Sequence, residues 1–214
     1  MRIGVLGTGV VGQAIATRSA EVGHEVMMGA RDRGNEKAVA WAEKYGGAAG
    51  SFADAAAHAE LVVNATPGLV SVDALRLAGA ENLAGKTLLD ISNALDHSVG
   101  FPPVVGVGVD DSVAERIQRE FPDARVVKGL NTMNCQVMVD PGRLTGAHDV
   151  LIAGEEAAAK AEVVSLLEAF GWPRDAVRDL GGIQAARGLE LYVALWVNLM
   201  GRLGTADFNI HVVR

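Results

Sequence analysis

The chain is 214 residues long, half of them apolar and 21% charged, with a formal net charge of −7. That length suits one substantial core, or one large domain with a small appendage, and excludes two domains of equal size. The acidic balance argues against a general nucleic-acid binder or a protein that adheres to anionic lipid, and no apolar run approaches the roughly 20 residues of a bilayer span.

The first predicted strand, Arg2–Leu6, begins the sequence without the charged start and cleavage site of a signal peptide, which predicts a cytoplasmic protein. It runs into Gly7-Thr8-Gly9-Val10-Val11-Gly12, and a predicted helix over Val10–Val22 follows. G-x-G-x-x-G between a strand and a helix is a dinucleotide-binding pattern. Gly7 permits the tight turn, Gly9 lets backbone approach a pyrophosphate, and Gly12 lets the helix pack closely on the sheet. The helix then offers free N–H groups and a positive dipole end to phosphates.

A second strand over Glu25–Met28 leads to a tip at Ala30, where NAD-binding chains carry an acid for the ribose hydroxyls. Ala30 leaves room there, and Arg31, Arg33 and Lys37 supply cations for a 2′-phosphate; a guanidinium can also stack on adenine. The loop reads as built for NADP(H). Two other readings stay open: Asp32 as the ribose acid if the strand runs two residues further, which favours NAD, and a merely solvated charged turn.

Helices over Asn35–Tyr45 and Phe52–Ala59, a strand over Leu61–Ala65 and a helix over Val70–Leu77 come next; Ser51 can cap the second helix. Strands over Thr87–Ile91, Arg125–Lys128 and His148–Ala153, with helices over Asp111–Phe121, Glu155–Phe170 and Ile183–Gly201, complete the series, and 101–112 reads as a loop. Short apolar strands alternating with helices predict an α/β, Rossmann-like doubly wound parallel sheet. After Gly181-Gly182 the character changes, so the expected division is an NADP-binding domain over 1–180 and a small helical C-terminal element over 181–214. Its helix is apolar around most of its girth, which predicts burial against the domain, a partner subunit or both, and so a homodimer.

Ligands of such sheets lie beyond the carboxyl ends of the strands. Those ends here are small or polar: Ala65-Thr66-Pro67, Ser92-Asn93 and Leu130-Asn131-Thr132. Ala65, Thr66, Pro67 and Asn93 are cofactor-binding candidates, and Asn131 and Thr66 are candidates to position a ring. None is a certain catalytic group. No metal site is expected, because the five histidines are scattered and Cys135 is the sole cysteine. That cysteine also fits a reducing compartment and reads as a small buried hydrophobe. No acyl-transfer elbow or P-loop appears.

With "MRIGVLGTGVVGQAIA", "GHEVMMGAR", "NATPG", "VVKGLNTMN" and the apolar C-terminal helix in view, essentially the whole chain resembles the NADPH-dependent reductases of the deazaflavin coenzyme F420. The resemblance implies hydride transfer between nicotinamide and a stacked deazaflavin, a reaction that needs placement more than acid–base help. It implies that Thr8, Ala30, Arg31 and Arg33 or Lys37 meet the adenosine phosphates. It further implies that Ala65, Thr66 and Pro67 border the nicotinamide and that Asn131 lies near the ring stack. Some F420-reducing members carry His at the position of Asn131, and relatives with other acceptors, ferric reductases among them, resemble the Asn form. Three readings therefore stand: an NADP(H)-dependent oxidoreductase with F420 or a flavin-like acceptor, a reductase of a small imine, carbonyl or ferric substrate, and a non-catalytic NADP(H) sensor.

Overall fold

The structure is a computed structural model and describes residues 1–213. In chain order the first half consists of β1 (Arg2–Leu6), α1 (Val10–Glu21), β2 (Glu25–Ala30), α2 (Glu36–Tyr45), β3 (Ala48–Ser51), α3 (Phe52–His58), β4 (Leu61–Asn64), α4 (Ser71–Ala78), α5 (Ala80–Leu83) and β5 (Thr87–Asp90). A small ribbon of β6 (Leu95–Asp96) and β7 (Val104–Val105) follows. Then come α6 (Val113–Glu120), β8 (Arg125–Gly129), α7 (Cys135–Val139), β9 (Val150–Ala153), α8 (Ala157–Phe170), β10 (Val177–Asp179) and α9 (Ala186–Leu203).

Eight strands make one sheet in the order β10-β9-β8-β5-β4-β1-β2-β3. The order reverses direction at β1, where β2 and β3 extend one way and β4 and β5 the other, so the expected doubly wound α/β fold is present. Alternation along each strand serves both faces. In β1, Ile3 and Val5 join Ile15, Trp41 and Leu167 on one side, while Leu6 joins Phe52, Leu75 and Ile117 on the other.

The sheet departs from full parallelism at one place. β9 runs antiparallel to β8, with Lys128 opposite Ala153, and β10 is parallel to β9. The reason lies in the connection: it holds only the five-residue α7, which packs against α1, and a single 3-10 turn at Pro141–Arg143, so the chain enters β9 from the end at which it left β8. β3 and β10 were also absent from the expected strands. Ala48-Ala49-Gly50-Ser51 has no β-branched residue to mark it, and β10 is a three-residue edge strand.

The C-terminal helix α9 packs on α6, β7 and β9, burying Leu189, Glu190, Val193 and Val197. Beyond it the chain turns back to the start of β9. Asp149 N–H donates to Ile210 O at 2.8 Å, Asn209 Nδ2 donates to Asp149 O at 2.9 Å, and the Asp149 carboxylate accepts from Val212 N–H at 2.6 Å. Among the described residues no helix is long and apolar enough to cross a membrane, and no cluster of His, Cys, Asp and Glu could hold a metal ion.

Candidate cofactor and acceptor site

The Gly-rich turn has the geometry its spacing predicts. Gly7 lies at φ +120°, and a Cβ there would stand 2.6 Å from Ala65 O. A Cβ on Gly12 would come within 2.1 Å of Gly7 O, so the helix can sit this close only without a side chain. Gly9 differs: nothing lies within 4 Å of its missing Cβ, which leaves bare backbone facing open space. Gly9 is also the N-cap of α1, whose first turn has neither a side-chain cap nor an acid, so its leading N–H groups remain free for an anion.

At the adenosine end, β2 runs two residues past the predicted bound, the extension on which the NAD reading of Asp32 depended, yet it finishes on Ala30, the residue expected at its tip. Ala30 is buried, and Asp32 lies exposed in the turn beyond, off the cavity wall. Arg31 is exposed and lines the cavity. Arg33 has a different engagement. Its Nε donates to Asp54 Oδ2 at 2.6 Å and its second nitrogen pairs with Asp54 Oδ1. Asp54 is the third residue of a capping box with Ser51, and the Arg33 guanidinium together with Ser51 holds its carboxyl far below the usual range. Neither Arg33 nor Lys37 borders the cavity.

One cavity of about 820 Å³ runs from the Gly-rich turn across the strand ends to α9. Its wall includes Gly7, Thr8, Gly9, Val10 and Val11, then Ala65, Thr66 and Pro67, then Asn93 and Asn131, all of them expected there. Gly12 lies behind this wall, as a packing glycine should. The far side is formed by Met133, which closes the strand end that begins at Leu130, and by residues that sequence reasoning missed: Asn134, Cys135 and Met138 near α7, and Trp196 on α9. The Cys135 thiol is pushed up by burial, so it remains a thiol and behaves as an apolar group.

Beneath the strand ends lies a line of buried polar groups. Thr66 Oγ1 donates to Asn64 Oδ1 at 2.7 Å, and Asn64 Nδ2 donates to Asp90 Oδ1 at 2.7 Å. Lys128, fully buried, reaches Asp90 at 2.7 Å and Glu190 of α9 at 2.9 Å. Burial works against its charge, but Asp90 and Glu190 outweigh it and raise its pKa; burial likewise raises that of Glu190. Glu190 also accepts from Val113 and Ala114 N–H at the start of α6, at 2.8 and 3.2 Å.

Leu130, at φ +62°, bends the chain sharply after β8 and presents Asn131 to the cavity. Such a conformation costs a leucine about 1 kcal/mol or more and persists only where its surroundings enforce it. The Asn131 amide donates to Asn93 Oδ1 at 3.0 Å and to Leu189 O at 2.9 Å, while its Oδ1 is buried without a partner. Ser92 Oγ and Trp196 Nε1 are also buried and unpartnered, and both residues line the cavity.

A doubly wound sheet with a Gly-rich turn, an open strand-end cleft and cations beside the second strand defines a dinucleotide-binding protein of the Rossmann type. A family model described as NADP oxidoreductase, coenzyme F420-dependent, matches residues 2–94. An F420-dependent NADP reductase of Methanothermobacter marburgensis is 33% identical over 93% of this chain and 92% of its own. The chain belongs to this family of F420-dependent NADP oxidoreductases. A crystal structure from Arthrobacter sp. FB24, described as a candidate F420-dependent NADP reductase, superposes over 100% of both chains with a TM-score of 0.94 and 50% identity. The metalloreductase STEAP3 of Rattus norvegicus is 29% identical over 88% of this chain, which spans 36% of that longer protein.

Proposed function

We infer that the protein is an NADP(H)-dependent oxidoreductase that passes a hydride between NADPH and the deazaflavin F420. The observation that carries this reading is the single continuous cavity, which runs from the Gly-rich turn to a far side lined by Met133, Cys135, Met138 and Trp196 of α9. A volume of about 820 Å³ is near the upper end for small-ligand sites, room for a second planar molecule beside a nicotinamide. The residues present fit the coenzyme: Gly9 leaves open space for phosphates, and Asn131 Oδ1 and Ser92 Oγ are orphaned polar atoms where a carboxamide would bind.

When bound, NADPH supplies the hydride. The chain supplies placement. Thr8, Val10 and Val11, with the free N–H groups of α1, hold the pyrophosphate, and Arg31 reads the 2′-phosphate. Ala65, Thr66 and Pro67 border the nicotinamide, and Asn93 braces Asn131, whose carbonyl accepts the carboxamide N–H. Met133, Cys135 and Met138 exclude water from the ring stack. Asp73 and His97 are exposed cavity residues, and no buried acid or base faces the reacting ring, which suits a direct hydride transfer.

The test is to follow NADPH absorbance with oxidised F420. Acceptor-dependent oxidation is expected; NADPH binding with no oxidation would select the sensor reading instead. The similarity to a metalloreductase favours one other acceptor, a ferric chelate, as a parallel assay.

Three finer assignments belong to the same proposal. The chain divides into an NADP-binding domain over 1–180 and an acceptor-binding element over 181–214, of which Arg214 lies outside the described residues. It works as a homodimer, a reading supported by Leu195 and Leu203, which α9 leaves 55% and 56% exposed. It resides in the cytoplasm, in keeping with its lone free thiol. Sedimentation of the wild type against Leu195→Asp checks the dimer: the variant should sediment as a monomer.

A further inference from the structure

We propose that Trp196 selects and orients the hydride acceptor by donating its indole N–H to a ring carbonyl of that molecule; this rests on the oxidoreductase reading above. Roughly nine in ten buried polar groups or more are paired in folded proteins. Three orphans on one cavity wall, Ser92 Oγ, Asn131 Oδ1 and Trp196 Nε1, therefore mark places where ligand atoms complete the bonding.

The three divide by position. Ser92 and Asn131 stand at strand ends, and Asn131 is tied to Leu189 O at the start of α9. Trp196 lies two helical turns further along, roughly 10 Å down the axis at 1.5 Å per residue. A carboxamide engaged by Asn131 does not extend that distance. Trp196 thus borders the part of the cavity left for the second molecule, and its buried, unpartnered indole N–H is the donor on that stretch of wall.

Its chemistry narrows what that molecule is. An indole N–H only donates, so its partner carries an acceptor atom such as a ring carbonyl. A deazaflavin meets this requirement, since it presents carbonyls on the edge of a flat ring. The indole is also held in place. Phe208 stacks on it at 5.4 Å and 20°, and the tail bearing Phe208 is fixed by Arg143 on Asp207 at 2.8 Å and by Asn209 on Asp149.

Trp196→Phe keeps an aromatic ring against Phe208 and removes the donor along with the second ring of the indole. In calorimetric titrations of NADP⁺-saturated protein with oxidised F420, this variant should bind F420 about tenfold more weakly, the loss of one hydrogen bond, with the Kd for NADP⁺ unchanged. Phe208→Leu, which loosens the indole, should weaken F420 about threefold and likewise spare NADP⁺. Wild-type affinity for F420 in both variants, or an equal loss of NADP⁺ in Trp196→Phe, overturns the proposal while leaving the oxidoreductase intact. Should Trp196→Phe fail to fold, an unchanged F420 Kd in Phe208→Leu overturns it alone. A wild type that binds NADP⁺ but not F420 sinks the functional reading and this inference together.

Discussion

Two arginines two positions apart in the sequence, separated by one acid, end in different settings. Arg31 is exposed and lines the cavity, whereas Arg33 is turned onto Asp54. In the proposed reading coenzyme choice therefore falls mainly to Arg31. Arg31→Ala should weaken NADPH by roughly ten- to hundredfold, the worth of charge-assisted hydrogen bonds, and leave NADH nearly unchanged; fluorescence titration with each coenzyme checks it. Arg33→Ala should cost clearly less NADPH affinity in the same titration. A different residue-scale test bears on the turn. Gly12→Ala places a methyl 2.1 Å from Gly7 O, so the turn and helix must separate. Overpacking of this kind costs about 1–3 kcal/mol, and the variant should show both a lower Tm and no measurable NADPH binding.

Among elements, β5, β8 and α9 are joined by Asp90, Lys128 and Glu190, all fully buried. Lys128→Met removes the one cation and leaves two acids facing each other out of water. Breaking a buried pair in this way costs about 3–5 kcal/mol, which denaturant unfolding should report as a lower midpoint. Replacing Glu190 by Gln should cost less, because burial already favours its neutral form. None of this triad was legible in the sequence: Lys128 looked like the ordinary end of a strand, and Glu190 a charge on an apolar helix. What was legible was placement: Gly7–Val11, Arg31, Ala65–Pro67, Asn93 and Asn131 lie on the cavity wall and Ala30 ends β2, because short-range glycine, proline and amide patterns dictate local backbone. Trp196 was not. A tryptophan in an apolar helix has the same local signature whether it fills a core or roofs a cavity, and only the packing of α9 decides. The pairing of Arg33 with Asp54 was equally hidden: Ser51 was expected to cap α3, but the unrecognised β3, paired with β2, is what brings that cap beside the loop carrying Arg33.

For the whole molecule, the reversal of β9 matters because it brings the start of that strand to the returning C-terminal chain. Asp149 fastens the tail through Val212 N–H and His211, and also pairs with Arg178 of β10 at 3.0 Å. Burial alone would raise its pKa, but these partners outweigh that and hold it below the ordinary value of 3.8. A depressed carboxylate stabilises the fold fully above its unfolded pKa, and that contribution fades as pH falls through the folded value. Asp149→Asn should therefore be less stable than wild type at neutral pH, with the gap closing below about pH 4; thermal melts from pH 7 to 3 would show the two curves converging.

The file of hydrogen bonds from Thr66 through Asn64, Asp90 and Lys128 to Glu190 has a mechanical meaning. In the proposed reading it is a girder under both seats, which would fix the spacing between donor and acceptor rings before either molecule arrives. The entropy of aligning two reactants is then met during folding rather than at each turnover. Such stiffness leaves little for a hinge to do, and crystals grown with and without the coenzyme should superimpose along this beam, Thr66 and Trp196 keeping their separation.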